Sequence, residues 1–150
     1  AIPPVNGDAA ALSRALQNLL SNAMKYSGAS RWLGLSVELV KTAQGEEAQI
    51  KVADRGIGVP PSELPRIFDP FYRGREVLAA QIHGNGLGLS LVKHIIEAHG
   101  GRISVASNWG NGGNGGNEMK RGTIFTLHLP VPVEVEEPAP APENYENFAR

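Results

Sequence analysis

Apolar residues recur every three or four positions in the first part of the chain, which is the spacing of an amphipathic helix. Asp8 stands just before this pattern and predicts the N-cap, and the helix is expected to continue to about Tyr26. The residues of the apolar stripe are Leu12, Leu16, Leu19, Leu20 and Ala23. One face of the predicted helix is therefore apolar.

Shorter patterns predict the elements that follow. In chain order they are a strand at residues 37–40, a turn at 44–47, a strand at 48–53, a short helix at 62–67, a long helix at 87–99 and two strands at 102–107 and 122–129. Helices alternating with pairs of strands predict an α/β fold of the α+β kind, a two-layer sandwich with the helices on one face of a sheet.

Three segments lack such a pattern. Residues 68–86 have no clear period, residues 108–117 are nearly all Asn and Gly, and residues 131–150 are rich in Pro and Glu. We interpret the second as a mobile hairpin insert and the third as a disordered tail. The predicted folded domain therefore covers residues 1–130.

Composition narrows the class of protein. The chain has 150 residues, 41% of them apolar, and a formal net charge of −1, so nothing in its charge predicts a nucleic-acid partner. It has no cysteine, and no apolar run approaches the roughly 18 residues of a membrane span. The chain begins without methionine, so we interpret it as a fragment. The absence of cysteine suits a reducing compartment, and we expect the fragment to be cytoplasmic, from a parent protein that could be anchored in the inner membrane.

A polar stripe lies nearly opposite the leucines of the first helix. Asn18, Asn22 and Lys25 are spaced i, i+4 and i+7, so they share one face of the helix. Two carboxamides and an ammonium can bind a hard cation and phosphate oxygens. Taken alone, the stripe is more often an ordinary solvated face.

Two glycine-rich loops are candidate ligand sites. Asp54 follows a predicted strand and could accept a hydrogen bond from an exocyclic amine, while Gly56 and Gly58 would let a flat ring approach the backbone. A tight turn with a capping Asp is the alternative. Residues 84–90 open the second helix, where glycines and unpaired N–H groups can bind an anion, although the loop matches neither a Walker nor a dinucleotide motif.

An aromatic segment precedes the second loop. Phe68, Phe71 and Tyr72 lie within six residues and predict a small apolar cluster, which could also anchor a mobile lid. Arg73 follows directly and could reach a phosphate.

These pieces, in this order and spacing, resemble the histidine-kinase branch of the superfamily that includes gyrase, Hsp90 and MutL. The matching segments are residues 18–27 for the N box, 54–59 for the first glycine box, 68–73 for the F box, 84–90 for the second glycine box and 122–127 for the final Gly-Thr strand. The resemblance implies a Bergerat-type fold, a mixed but mostly antiparallel sheet covered by about three helices. ATP would lie between the helices and a flexible lid at residues 74–86.

The same resemblance assigns roles to the polar helix face and the lid side. Asn22 matches the main Mg²⁺ ligand and Asn18 a second one, while Lys25 and Tyr26 match positions beside the phosphates and sugar. Arg73 matches an arginine near the γ-phosphate. The expected catalytic residues are therefore Asn22, Lys25 and Arg73.

The base and phosphate loops follow in the same way. Asp54 matches the carboxylate that binds the adenine amino group, and Thr123 matches a residue that helps to hold adenine. Gly56 and Gly58 match the backbone beside the ring. The remaining expected nucleotide contacts are Gly84, Gly86, Leu87, Gly88 and Leu89.

The function implied by the resemblance is binding of ATP·Mg and donation of the γ-phosphate to a histidine on a separate dimerisation-helix domain. A response regulator would receive the phosphate, the whole kinase would be a homodimer, and the chain alone a monomer. Two alternatives remain open, a superfamily ATPase and a nucleotide-binding signalling module. The ATPases place a glutamate base where this chain has Asn18. A serine kinase of the anti-sigma-factor type is disfavoured by the F box.

The acceptor histidine of the resembling family is followed by an acidic residue. The chain has four histidines, followed by Gly84, Ile95, Gly100 and Leu129, so none is predicted to be the acceptor. We expect His94 and His99 on or beside the packing face of the second helix, His128 in a strand and His83 in the lid.

Overall fold

A computed structural model describes residues 2–75, 78, 84, 86–108 and 121–133. Its elements are α1 (Ala9–Tyr26), a 3-10 helix (Gly28–Ser30), β1 (Leu33–Thr42), β2 (Gly45–Asp54), a second 3-10 helix (Leu64–Arg66), α2 (Gly88–Ala98), β3 (Arg102–Asn108) and β4 (Gly122–Pro130). The predicted α/β sandwich is confirmed.

The start of α1 is fixed by its predicted N-cap. The carboxylate of Asp8 accepts hydrogen bonds from the backbone N–H groups of Ala10 and Ala11, at 2.9 and 3.1 Å. Such a cap satisfies amides that have no partner within the helix. The sequence therefore located both ends of α1 to within one residue.

The four described strands form one sheet in the order β1-β2-β4-β3. Every pair of neighbouring described strands is antiparallel, so the parallel pairing of the expected mixed sheet is not found among them. The described residues contain two α-helices rather than about three, and the short helix predicted at 62–67 is the 3-10 helix Leu64–Arg66. In the register of β2 and β4, Asp54 lies opposite Thr123.

The hairpin β1–β2 is longer than predicted. Each strand has ten residues, and Thr42 pairs with Gly45 across a two-residue turn. Gly45 has a φ of 124°, which only glycine adopts without strain. The predicted turn at 44–47 was too long because the two glutamates that follow Gly45 are polar yet belong to β2.

The core lies between the two α-helices and one face of β2, β4 and β3. The largest fully buried side chains are Leu19, Val52, Val92, Ile96 and Leu127. Burying a side chain of this size stabilises the fold by about 1.5–3 kcal/mol. Asp54 and Thr123, at the paired ends of β2 and β4, are thereby fixed on the same face of the sheet as the core.

Three predicted segments fall mostly outside the described residues. Of the predicted lid, the structure describes residues 74, 75, 78, 84 and 86. Asn108, the first residue of the predicted insert, belongs to β3, and the rest of the insert lies outside the description. The same holds for the predicted tail beyond Val133. In the described part of the chain, neither α-helix has the length and apolar character needed to cross a bilayer.

Candidate functional site

A cavity of about 240 Å³ opens between α1, the paired ends of β2 and β4, and the start of α2. Every predicted site residue except Gly56 and Leu87 lines it, namely Asn18, Asn22, Lys25, Tyr26, Asp54, Gly58, Arg73, Gly84, Gly86, Gly88, Leu89 and Thr123. Residues that are distant in sequence therefore converge on one concave site, as in most ligand pockets.

The α1 wall of the cavity is the polar stripe noticed in the sequence. Asn18 and Asn22 are half-buried there, and the amide group of Asn22 lies 4.0 Å from the point that a Cβ on Gly88 would occupy. This part of α1 therefore faces the first turn of α2. The stripe is a cavity wall rather than an ordinary solvated face.

Tyr26 and Arg73 both line the cavity. Burial raises the pKa of the Tyr26 hydroxyl, and the positive charge of Arg73 partly opposes that rise. The guanidinium is therefore near enough to Tyr26 to act on its ionisation. It brings a permanent positive charge to the site.

Asp54 is the buried carboxylate at the end of β2. Its side chain accepts a hydrogen bond from the backbone N–H of Gly56 at 2.8 Å. Burial raises the pKa of Asp54, while hydrogen bonds from the backbones of Gly56 and Thr123 lower it, and burial prevails. The carboxylate is thus held in one orientation at the cavity wall.

Gly56 supports this geometry without lining the cavity. A Cβ at this position would overlap the carbonyl oxygen of Tyr26, which accepts the N–H of Ile57 at 3.1 Å. The first glycine loop therefore packs directly against the C-terminal end of α1. A side chain at Gly56 is therefore excluded by this backbone contact.

Ser107 of β3 joins the first glycine loop, at Gly58 and Val59, to β3 and β4. The hydroxyl of Ser107 accepts the N–H of Val59 at 2.8 Å and donates to the carbonyl oxygen of Gly122 at 2.9 Å. It also lies 3.0 Å from the hydroxyl of Thr123. Ser107 was not predicted as a supporting residue, although its place on the core face of a strand, two residues after Val105, was a usable signal.

The start of α2 matches the predicted phosphate loop only in part. Gly84, Gly86, Gly88 and Leu89 line the cavity, whereas Leu87 is 37% exposed and does not. The prediction for Leu87 is therefore not supported by its position. The first N–H groups of an α-helix have no partner within the helix, so this end of α2 suits an anion.

The three rings of the aromatic segment differ in their surroundings, and Phe68 and Tyr72 are half-buried whereas Phe71 is exposed. Phe68 meets the core residue Phe125 edge-on, with ring centroids 6.2 Å apart. Tyr72 lies beneath the guanidinium of Arg66, 4.6 Å from the ring centroid. Phe71 is 72% exposed, so the predicted cluster does not include it.

Several cavity residues were not predicted from the sequence. They are Ser21, Ile57, Val59, Pro60, Glu63, Ile67, Tyr72, Gly74 and Phe125. The apolar members give the cavity a surface suited to a flat ring. Glu63 is different, because it is a carboxylate and only 8% exposed.

The polar residues present fit a nucleotide and a hard cation. Among the described residues there is no group of three His, Cys, Asp or Glu side chains able to hold a metal. The amide oxygens of Asn18 and Asn22 would supply only two ligands, so a Mg²⁺ ion here would share its remaining ligands with phosphate and water. The buried Asp54 acceptor suits an amine-bearing base.

Known proteins are similar to this chain in sequence. Residues 7–133 match the family model described as histidine kinase-, DNA gyrase B- and HSP90-like ATPase. The sensor-like histidine kinase SenX3 of Mycobacterium tuberculosis is 37% identical over 139 residues, which cover 93% of this chain and 30% of that protein. The sensor histidine kinase WalK of Bacillus subtilis is 34% identical over 119 residues, which cover 79% of this chain and 18% of that protein.

Two solved structures are similar to this chain in fold. The mycobacterial sensor histidine kinase MprB superposes with a TM-score of 0.63 at 31% identity, over 84% of this chain and 76% of that one. Full-length ShkA in complex with AMPPNP gives a TM-score of 0.59 at 28% identity, over 86% of this chain and 23% of that one.

The chain belongs to the family of histidine kinase-, DNA gyrase B- and HSP90-like ATPases. Within that family it is an ATP-binding catalytic domain of the sensor histidine kinase type. It spans about a third or less of the curated relatives described above.

Proposed function

We propose that the chain binds ATP with Mg²⁺ in this cavity and donates the γ-phosphate to a histidine on a separate dimerisation-helix domain. The observation that carries the proposal is the convergence of Asn18, Asn22 and Lys25 on the cavity that Asp54 also lines. One cavity thus offers a base acceptor together with cation and phosphate ligands. The structure of ShkA in complex with AMPPNP supports the same ligand class.

The adenine end is built around Asp54. Its carboxylate would accept the exocyclic amine of adenine, a charge-assisted hydrogen bond in a buried setting. Thr123 and the backbone at Gly58 line the same cavity and would contact the ring. Ser107 would act indirectly, because it holds both segments in place.

The phosphate end of the site combines amide side chains, two cationic side chains and backbone N–H groups. Asn22 and Asn18 would hold Mg²⁺, which neutralises phosphate charge when bound. Lys25 and Arg73 would contact phosphate oxygens, and the N–H groups at the start of α2, beside Gly86 and Gly88, would add hydrogen bonds. Phosphoryl transfer depends mainly on such positioning and charge stabilisation.

Transfer to a protein histidine is favoured over hydrolysis. The hydrolases of the superfamily place a glutamate base at the position of Asn18, and a carboxamide cannot take a proton from water. The acceptor domain and a response regulator are the proposed partners. We propose a homodimeric parent kinase and a monomeric isolated chain.

Calorimetric titration of ATP with and without Mg²⁺ tests the proposal. We expect micromolar-range affinity with Mg²⁺, an order of magnitude set by the type of site. Asn22→Ala should lower affinity mainly when Mg²⁺ is present. Gln17→Ala, an exposed neighbour on α1, is the matched control and should bind like the unmodified chain. A folded chain that gives no binding heat in either titration would refute the assignment.

A further inference from the structure

Glu63 is a buried carboxylate in the cavity with no role in the proposed chemistry. Its side chain lines the same cavity as Asp54, and the residue is 8% exposed. A carboxylate would repel the phosphates of a bound nucleotide, so direct contact with them is not its function. The hydrogen bond that its side chain accepts indicates a structural function instead.

The side chain of Glu63 contacts the backbone of a later segment of the chain. Glu63 occupies the N-cap position of the 3-10 helix Leu64–Arg66 but makes no side-chain capping bond there. One carboxylate oxygen accepts the backbone N–H of Arg75 at 3.3 Å instead. The carboxylate therefore joins two segments that are 12 residues apart in sequence.

Gly74 makes this contact possible. A Cβ at Gly74 would lie 2.6 Å from the second carboxylate oxygen of Glu63, closer than real Cβ atoms come. Gly74 thus allows this close approach, and it is not among the residues with a left-handed φ. The carboxylate fits against the backbone of the two residues that directly follow Arg73.

We infer that Glu63 is a positioning residue for Arg73, holding the backbone that follows it so that the guanidinium faces the terminal phosphate of ATP. The inference rests on the proposed function, which places Arg73 at that phosphate. Arg73 lines the cavity together with Tyr26, and its charge acts on the ionisation of Tyr26. Glu63 holds the backbone at residues 74 and 75, directly after Arg73.

The ratio of ATP affinity to ADP affinity measures the positioning role of Glu63. ADP lacks the phosphate that Arg73 would contact, so freeing the backbone after Arg73 should weaken ATP more than ADP. We expect Glu63→Ala to lower the ATP·Mg affinity about tenfold and the ADP·Mg affinity about twofold, the loss of one charge-assisted contact. Glu63→Gln keeps an acceptor oxygen at the same reach and should restore the ATP to ADP ratio to within about twofold.

A double-mutant cycle links the two residues. Once Arg73→Ala has removed the guanidinium, adding Glu63→Ala should lower the ATP affinity by no more than the roughly twofold that ADP also loses. Glu97→Ala, which removes an exposed glutamate of α2, is the matched control and should leave both affinities unchanged. If Glu63→Ala fails to fold, Gly74→Ala displaces the same carboxylate and should show the same selective loss of ATP.

The outcomes separate this inference from the proposed function. Equal losses for ATP and ADP, or additive effects of Glu63→Ala and Arg73→Ala, would overturn the positioning role while nucleotide binding stands. If the unmodified chain binds neither nucleotide, the proposed function itself fails. Selective loss of ATP, rescue by glutamine and non-additivity together would establish the role.

Discussion

Phe71 donates its backbone N–H to the carbonyl oxygen of Gly86, at 3.0 Å. Both residues have a left-handed backbone, with φ of 65° at Phe71 and 72° at Gly86. The bond joins the aromatic segment to the loop before α2 through main-chain atoms, and Gly86 lines the cavity.

Gly86→Ala should destabilise the chain and weaken nucleotide binding. A Cβ at Gly86 would lie 2.6 Å from the carbonyl carbon of Phe71, and the positive φ is itself unfavourable by about 1–2 kcal/mol for a residue with a side chain. We expect the free energy of unfolding to fall by at least that amount in urea denaturation. Gly84→Ala is the control, since its Cβ would meet nothing within 4 Å. Equal stability of the two variants would show that the contact is dispensable.

Asp54→Asn should weaken every adenine nucleotide by about ten- to a hundredfold, because hydrogen bonds to charged groups contribute about 1.5–3 kcal/mol. GTP should bind poorly to the unmodified chain, since guanine presents a carbonyl oxygen where adenine presents its amine. Competition between ATP, ADP and GTP for a fluorescent adenine nucleotide would measure both effects. Equal binding of ATP and GTP would contradict the role of Asp54.

Asp54→Asn should weaken nucleotide binding but increase the stability of the fold at neutral pH. Burial raises the pKa of Asp54, so the folded chain favours its neutral form. The stability linked to this group is present at low pH and is lost as the pH rises through the raised pKa. Asparagine resembles the neutral acid, so Asp54→Asn should melt at a higher temperature than the unmodified chain at neutral pH and lose that advantage in acid. A lower melting temperature at neutral pH would contradict this.

The sequence predicted the elements whose patterns are local. The stripe of α1, the Asp8 cap and the position of α2 each depend on residues within one or two helical turns. Asp54 and Thr123 were also identified, because each belongs to a short motif at the end of a strand. Their direct pairing across β2 and β4 required the sheet register.

What the sequence could not provide depends on contacts between distant segments. Glu63 looks like a surface residue of a short polar helix, yet it is 8% exposed and its carboxylate lies against Gly74. Ser107 supports the first glycine loop 48 residues away. By contrast, the full length of β1 was missed although a local signal was present, since Leu33, Leu35, Val37 and Leu39 recur at every second position.

Glu47→Gln should destabilise the chain at neutral pH by about 1–3 kcal/mol. Burial raises the pKa of Glu47, but hydrogen bonds from His128 and Gln49 and the charges of His128 and Arg102 together lower it below its usual range. A lowered pKa means stability that is present above about pH 4.3 and lost as the pH falls through the folded value.

Denaturation at several pH values measures this effect. The difference between Glu47→Gln and the unmodified chain should shrink as the pH falls below about 4.3. Glu46→Gln is the matched control, because the only ion pair the structure describes for Glu46 is a solvent-exposed one with Lys41 at 3.9 Å. A constant difference across the pH range would contradict the linkage.

Two of the three described histidines, His99 and His128, are held by contacts with the fold. His99 accepts the N–H of Asp8 through Nε2 at 3.0 Å, and its Nδ1 lies 2.7 Å from the carbonyl oxygen of Ile95. His128 is buried in β4, 2.8 Å from the Ser104 hydroxyl and 2.9 Å from the Glu47 carboxylate. His94 is exposed on α2, on a different face from the buried Val92, Ile95 and Ile96, so the prediction that it lies on or beside the packing face was wrong. His83 lies outside the described residues.

The chain alone should therefore neither phosphorylate itself nor hydrolyse ATP quickly. Both nitrogens of His99 and of His128 are engaged with the fold, and neither His94 nor His83 is followed by the acidic residue expected beside an acceptor. Incubation with ATP labelled at the γ-phosphate should leave the chain unlabelled, whereas adding the parent's acceptor-helix domain should place acid-labile label on that domain. Asn22→Ala should abolish this transfer, since Mg²⁺ and the terminal phosphate would no longer be held in line with an acceptor. Acid-labile label on any of the chain's own four histidines would contradict the assignment of a separate acceptor.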